Sequence, residues 1–127
     1  MARAQIHDEP GLAAVLAASG ENPTRDQTAL AVRYTLQLLA ERAPGNTVEV
    51  RVPPFGATQC IEGPRHTRGT PPNVVEMRAA VWLDLARGVI TWEEALSGNL
   101  VQASGQRADI SAVIPLLRGI YAAPSRP

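Results

Sequence analysis

At 127 residues, with 12 basic and 12 acidic side chains that cancel to zero formal charge, the chain has the size of one domain around one core. It lacks the basic excess with which nucleic-acid-binding proteins neutralise phosphates, so nucleic acid is not an expected partner. A single cysteine, Cys60, excludes an internal disulfide, and no apolar run approaches the roughly 18 residues of a membrane span.

The chain opens MARAQIHDEP, with no apolar run of signal-peptide length, and the expectation is a cytoplasmic protein. Asp8 can cap a first helix with Glu9 and Pro10 in its first turn, where a missing proline N–H is no loss. Leu12, Val15 and Leu16 then share a face, and Gly20 is a stop. Alanine makes this helix thin, an extension over residues 1–23 expected to lie across a surface. Thr24-Arg25-Asp26-Gln27 fits a capping box and starts a second helix. There Ala29, Val32, Leu36, Leu39 and Ala43 repeat at three and four, Leu30, Tyr34 and Leu38 widen the stripe, and Arg33, Gln37 and Glu41 form the wet face. Pro44-Gly45 ends it.

From Thr47 the period falls to two. Val48, Val50 and Val52 alternate with Thr47, Glu49 and Arg51, and Pro53-Pro54 closes this first strand. Phe55-Gly56 turns the chain into a second strand over Ala57 to Glu62, most simply as a hairpin. Gly63 to Pro72 follows without periodicity, holding three prolines and two glycines, and Val74 to Met77 reads as a third strand. After Arg78 the period is helical again: Ala79, Trp82, Leu83 and Ala86 make one face with Leu85 alongside, and Gly88 is the stop. Thr91-Trp92-Glu93-Glu94 is a second capping box and opens a short helix that runs to Gly98. Asn99 to Ser104 reads as a fourth strand. Ile110, Val113, Ile114 and Leu117 mark a last amphipathic helix, with Pro115 tolerable only in its first turn.

The run WLDLARGVITWEEALSGNLVQASGQRADISAVIPLL, from Trp82 to Leu117, resembles the closing half of the type-2 sterol carrier protein fold. The matching pieces are Leu85 to Gly88, Ala95 to Gly98 and Ala103 to Asp109. With the helix from Thr24 and the three strands, the resemblance spans roughly residues 24 to 120 of a single domain over 1–127. The stretch VPPFGATQCIEGPRHTRGTPPNVVE is similar to a compact actinobacterial subgroup described as sterol carrier family proteins, and related modules form the C-terminal domain of mycothiol-dependent maleylpyruvate isomerases. The resemblance implies an α+β single domain: a mostly antiparallel or mixed sheet of four to five strands covered by helices. It also implies a non-catalytic module for a lipid or small amphipathic ligand held between the sheet and the C-terminal helices. Trp82, Leu85, Leu96, Val101, Ile110, Ile114 and Leu117 are the candidate lining. Such a stripe fits a packed core as well, and the short tail after the last helix argues against a large sterol cavity.

Arg65, His66 and Arg68 bring convergent polar groups into the 63–72 loop. Two guanidiniums can hold a carboxylate or phosphate, and the imidazole titrates near neutrality; pairing with Glu62, Glu76 or backbone carbonyls would serve equally to pin the loop. Cys60 sits at a pattern-fixed strand position with no third residue to orient a Cys–His pair, so a structural cysteine is expected. Two histidines and one cysteine supply no metal-ligand spacing, and the glycines match neither a P-loop nor a dinucleotide fingerprint, so no metal or cofactor is expected. Two alternatives to a carrier remain: an interaction domain with a filled core, forming a homodimer through the 63–72 loop and the flat side of the sheet, or the accessory domain of an enzyme.

Overall fold

The computed structural model describes residues 5–63 and 73–117. Helix α1 (Asp8–Ala18) begins without a side-chain cap: His7 holds the cap position and makes no such bond. The expected cap, Asp8, is instead the first helical residue, and its Oδ1 accepts the Tyr34 hydroxyl at 2.6 Å. A tertiary partner thus displaces the local one. Burial first, and then this bond, hold the Tyr34 hydroxyl protonated well above the usual tyrosine range. Gly11 lies under the Tyr34 ring, where a Cβ would overlap the ring carbons. Small residues therefore let the helices approach closely. Gly11, Ala14 and Val15 form the buried side of α1, whereas Leu16, expected on that face, is exposed.

Helix α2 (Arg25–Arg42) starts with both halves of the Thr24 box, Gln27 N–H to Thr24 Oγ1 at 3.0 Å and Thr24 N–H to Gln27 Oε1 at 2.8 Å. It buries Ala31, Val32, Tyr34, Thr35, Leu36 and Leu39, more than one stripe, because α1 covers one side and the sheet and the next helix cover the other. Gln37, assigned to the wet face, grips the backbone of Ile6: it accepts from its N–H and donates to its carbonyl, each at 2.9 Å.

The sheet has the order β2-β1-β3-β4, formed by β1 (Val48–Val52), β2 (Gly56–Cys60), β3 (Asn73–Glu76) and β4 (Gln102–Ser104). β1 and β2 are the expected hairpin, closed by Phe55 N–H to Val52 O at 2.9 Å. β1 and β3 are parallel, Val50 opposite Val75, and β4 returns antiparallel to β3. Inward-facing Val48, Val50, Val52 and Val75 join Val32, Leu36, Leu39, Trp82 and Leu85 in one core. On the opposite face Arg51 holds Glu49 through its Nε and Nη2 at 2.9 and 2.8 Å. This mixed sheet matches the α+β architecture expected from the resemblance.

Helix α3 (Ala79–Arg87) ends at Gly88 with φ +78, and α4 (Trp92–Ser97) begins with the Thr91 box, complete in both directions. Thr35 ties α2 to α3: its Oγ1 donates to Ala31 O and accepts from Trp82 Nε1, both at 2.7 Å. The last amphipathic helix does not form among the described residues, where 110–117 is a chain of turns. Pro115 stands sixth in that stretch, too late for a first turn, and offers no N–H to a ladder. Leu116 and Leu117 instead donate to Ala86 O at 2.9 and 3.2 Å, and the Arg42 guanidinium donates to the carbonyls of Pro115 and Leu116. Ile110 and Leu117 are still fully buried, which is how a chain of turns reproduced a helical apolar pattern.

Candidate functional site

The parallel pair β1–β3 determines where a crevice opens. At their C-terminal ends the chain leaves in different directions: β1 turns at Pro53 toward β2, while β3 continues through Met77 and Arg78 into α3. Diverging connections of this kind leave a hollow beyond the strand ends. The hollow is a depression of about 510 Å³, lined by Pro53, Glu76, Met77, Arg78, Asn99, Leu100 and Gln102. That volume lies within the roughly 300–1,000 Å³ of small-molecule sites.

Its walls differ in chemistry. Leu100, Met77 and Pro53 give an apolar side, with Leu100 41% exposed. Glu76, Arg78 and the amides of Asn99 and Gln102 give a polar side. Met77 N–H donates to Arg51 O at 3.1 Å, which fixes the strand end forming the floor. Asn99 adopts φ +60, a left-handed conformation that asparagine tolerates, and Leu100 N–H then reaches Ala95 O at 2.9 Å. This tight end to α4 leaves Leu100, and Leu96 with it, open to solvent. Arg78 is the N-cap of α3 without a side-chain cap bond, and no acidic residue occupies the first turn. The positive end of that helix is therefore uncompensated beside the polar wall.

The expected lining residues do not converge on this depression. Trp82, Leu85, Val101, Ile110 and Leu117 are buried in the core, where they pack with one another and with the sheet valines. Leu96 is exposed. Ile114, partly buried, meets Leu85 only in the wall of a smaller depression of about 180 Å³ between the end of α3, the start of α4 and residues 111–115. Arg65, His66 and Arg68 lie outside the described residues. The ends of their loop are described: Gly63 and Asn73 stand at the N-terminal end of the β1–β3 pair, with Asn73 about 10 Å of strand from Glu76 in the wall of the depression. A polar knot holds that end. Asn73 Nδ2 donates to Thr47 O at 2.9 Å and Asn73 Oδ1 accepts from Arg107 N–H at 2.8 Å. Beside Gly63, the buried Thr47 Oγ1 has no hydrogen-bond partner among the described residues.

Sequence reasoning missed Glu76, Arg78, Asn99 and Gln102, which come from two separate stretches of the chain and share no motif. One signal was available: Arg78-Ala79-Ala80 starts a helix with no residue able to cap it. Among the described residues no cluster of three or more His, Cys, Asp or Glu side chains could hold a metal ion, and no helix is long and apolar enough to cross a membrane.

A four-stranded mixed sheet with helices packed on one face defines an α+β fold of the sterol-carrier type. More particularly, residues 24–116, from the Thr24 capping box to the turns that close the core, match the family described as bacterial SCP ortholog, and the chain belongs to that family of sterol carrier protein orthologs. Comparison with curated proteins finds no match.

Proposed function

We propose that the protein is a small non-catalytic carrier module that holds an amphipathic ligand in the depression at the C-terminal ends of β1 and β3. The observation that carries this reading is the two-sided wall of that depression in a chain of a carrier family. The apolar part of the ligand lies against Leu100, Met77 and Pro53. Its polar end faces Glu76, Arg78, Asn99 and Gln102. In this reading the module binds and releases its ligand and performs no chemistry on it.

The test is displacement of a fluorescent fatty probe by medium-chain amphiphiles, with native mass spectrometry of gently purified protein beside it. Leu100→Glu places a charge on the apolar wall and should weaken binding about tenfold or more, since a carboxylate there must be desolvated against the chain. Leu96→Glu, outside the depression, should leave it unchanged. The paired substitution Arg65→Ala and Arg68→Ala distinguishes an anionic headgroup on the 63–72 loop, whose loss would abolish a preference for carboxylates over alcohols. No displacement and no adduct would refute the carrier reading. A second reading, an interaction domain, draws support from the filled core, since five expected lining residues are closed off inside it.

A further inference from the structure

β2 ends the sheet, and among the described residues it is paired on one side only, with β1. An edge strand presents unpaired N–H and C=O groups, and proteins ordinarily blunt such edges with charges, proline, a bulge or shortness. β2, GATQC, carries no charge and no proline, and it pairs with β1 in unbroken register over five residues. The opposite edge, β4, is only three residues long. Among the described residues β2 is thus the unprotected edge.

A groove of about 410 Å³ runs beside it, lined by Gly56, Ala57 and Thr58, by Arg33, Leu36 and Gln37 of α2, and by Ile6. β2 and α2 run in the same direction here. A Cβ on Gly56 would sit 3.4 Å from Leu36 Cδ1 and 3.9 Å from Arg33 Cγ, and Ile61 N–H donates to Ala43 O at 2.7 Å. The middle of β2, Thr58, therefore lies about level with Gln37. Arg33 and Glu41 stand four residues before and after Gln37 on the same helix face. Along the groove the face reads positive, neutral, negative, with the backbone of Ile6 held across the neutral Gln37. Such a face is complementary to a reversed copy of itself, and a two-fold axis near Thr58 and Gln37 supplies that reversal. The axis sets Ala57 opposite Gln59 and Gly56 opposite Cys60 of the second copy, with no like charges facing each other along β2. It also brings Arg33 of each copy toward Glu41 of the other. Neither side chain makes an ion pair among the described residues, and Glu41 Oε2 accepts only a 3.3 Å bond from Gln5.

We propose that the β2 edge and the Arg33–Gln37–Glu41 face of α2 form a two-fold interface, joining two copies of this chain through antiparallel β2–β2 pairing into one continuous sheet. No residue of this surface lines the 510 Å³ depression, so the interface and the carrier reading stand or fall separately.

Sedimentation of the full chain across micromolar concentrations tests it by charge reversal. Arg33→Glu and Glu41→Arg, each striking two symmetry-related contacts, should each weaken the dimer on the order of tenfold or more. The doubly reversed chain should recover the parent dissociation constant to within about threefold. Within one chain the two positions are about 12 Å apart along α2, so recovery cannot come from a contact inside a protomer. Thr58→Lys, which sets two ammonium groups face to face at the centre of the β2 pair, should give a monomer with a native circular-dichroism spectrum. A parent chain that stays monomeric throughout overturns the proposal, as does a dimer indifferent to the single reversals or one that the double reversal fails to restore.

Discussion

Replacing Thr35 by valine changes one atom of consequence in the core. The Thr35 hydroxyl is the acceptor for the Trp82 indole N–H at 2.7 Å, and both residues are fully buried. Valine keeps the branched shape, so the packing of α2 against α3 is preserved while the indole N–H loses its partner. A buried donor left unsatisfied costs about 1–3 kcal/mol, and the added methyl offsets a few tenths to about 1 kcal/mol of that. The expected net loss is about 1–2 kcal/mol, or a fall of about 4–8 °C in Tm at this chain length. Urea denaturation followed by far-ultraviolet circular dichroism is the assay, because the signal is then independent of the tryptophan. Trp82→Phe in both backgrounds completes a cycle. In the parent, Thr35 still donates to Ala31 O after the indole is removed; in the Thr35→Val background, Trp82→Phe also removes the stranded N–H and should cost about 1 kcal/mol less. A Thr35→Val chain within about 0.5 kcal/mol of the parent, or a cycle with no coupling, refutes the argument that this bond joins the two helices.

Gly11→Ala should destabilise by about 1–3 kcal/mol, because the new methyl overlaps the Tyr34 ring; thermal unfolding measures it, and Ala13→Gly on the exposed side of α1 is the comparison. Burial pushes the Cys60 thiol up from 9.0 to about 11, so the native state disfavours the thiolate relative to the unfolded chain. This contribution is complete below pH 9 and is lost as pH climbs toward 11, at up to about 1.4 kcal/mol per pH unit. Unfolding curves over that range should lose this slope in Cys60→Ala.

Local signals carried the helices and failed at pairing. Thr24 with Gln27 and Thr91 with Glu94 are caps complete within four residues, and Gly88 needs only its own left-handed φ, so the starts of α2 and α4 and the end of α3 could be read directly. Asp8 misled because its partner, Tyr34, lies 26 residues away. Gln37 misled for the same reason: its partner is the backbone of Ile6. The apolar spacing from Ile110 to Leu117 is helical in period, yet the position of Pro115 ruled out a helix and outweighed it. The parallel pairing of β1 with β3 left no trace in either strand, since a period of two serves parallel and antiparallel partners alike. The depression depends on that pairing, which brings Pro53, Glu76 and Gln102 to one end of the sheet, so it could not be read before the sheet was known.

A filled core sets how any ligand of the proposed kind can bind. Trp82, Leu85, Val101, Ile110 and Leu117 close the space that an internal tunnel would use, so the ligand lies on the outside of the sheet with one side in water. Each 100 Å² of its apolar surface that is covered contributes about 2.5 kcal/mol, against several kcal/mol for association. A medium-length chain should then bind at about micromolar to millimolar concentrations. Affinity should rise with chain length only until the wall of Leu100, Met77 and Pro53 is covered, and then level off, since further methylenes remain in water. A tunnel would behave differently, adding about 0.8 kcal/mol per buried methylene through longer chains. Probe displacement across a homologous series of amphiphiles distinguishes the two. An affinity that keeps climbing by that increment through long chains would show that the core opens to admit the ligand, and would refute the external depression as its seat.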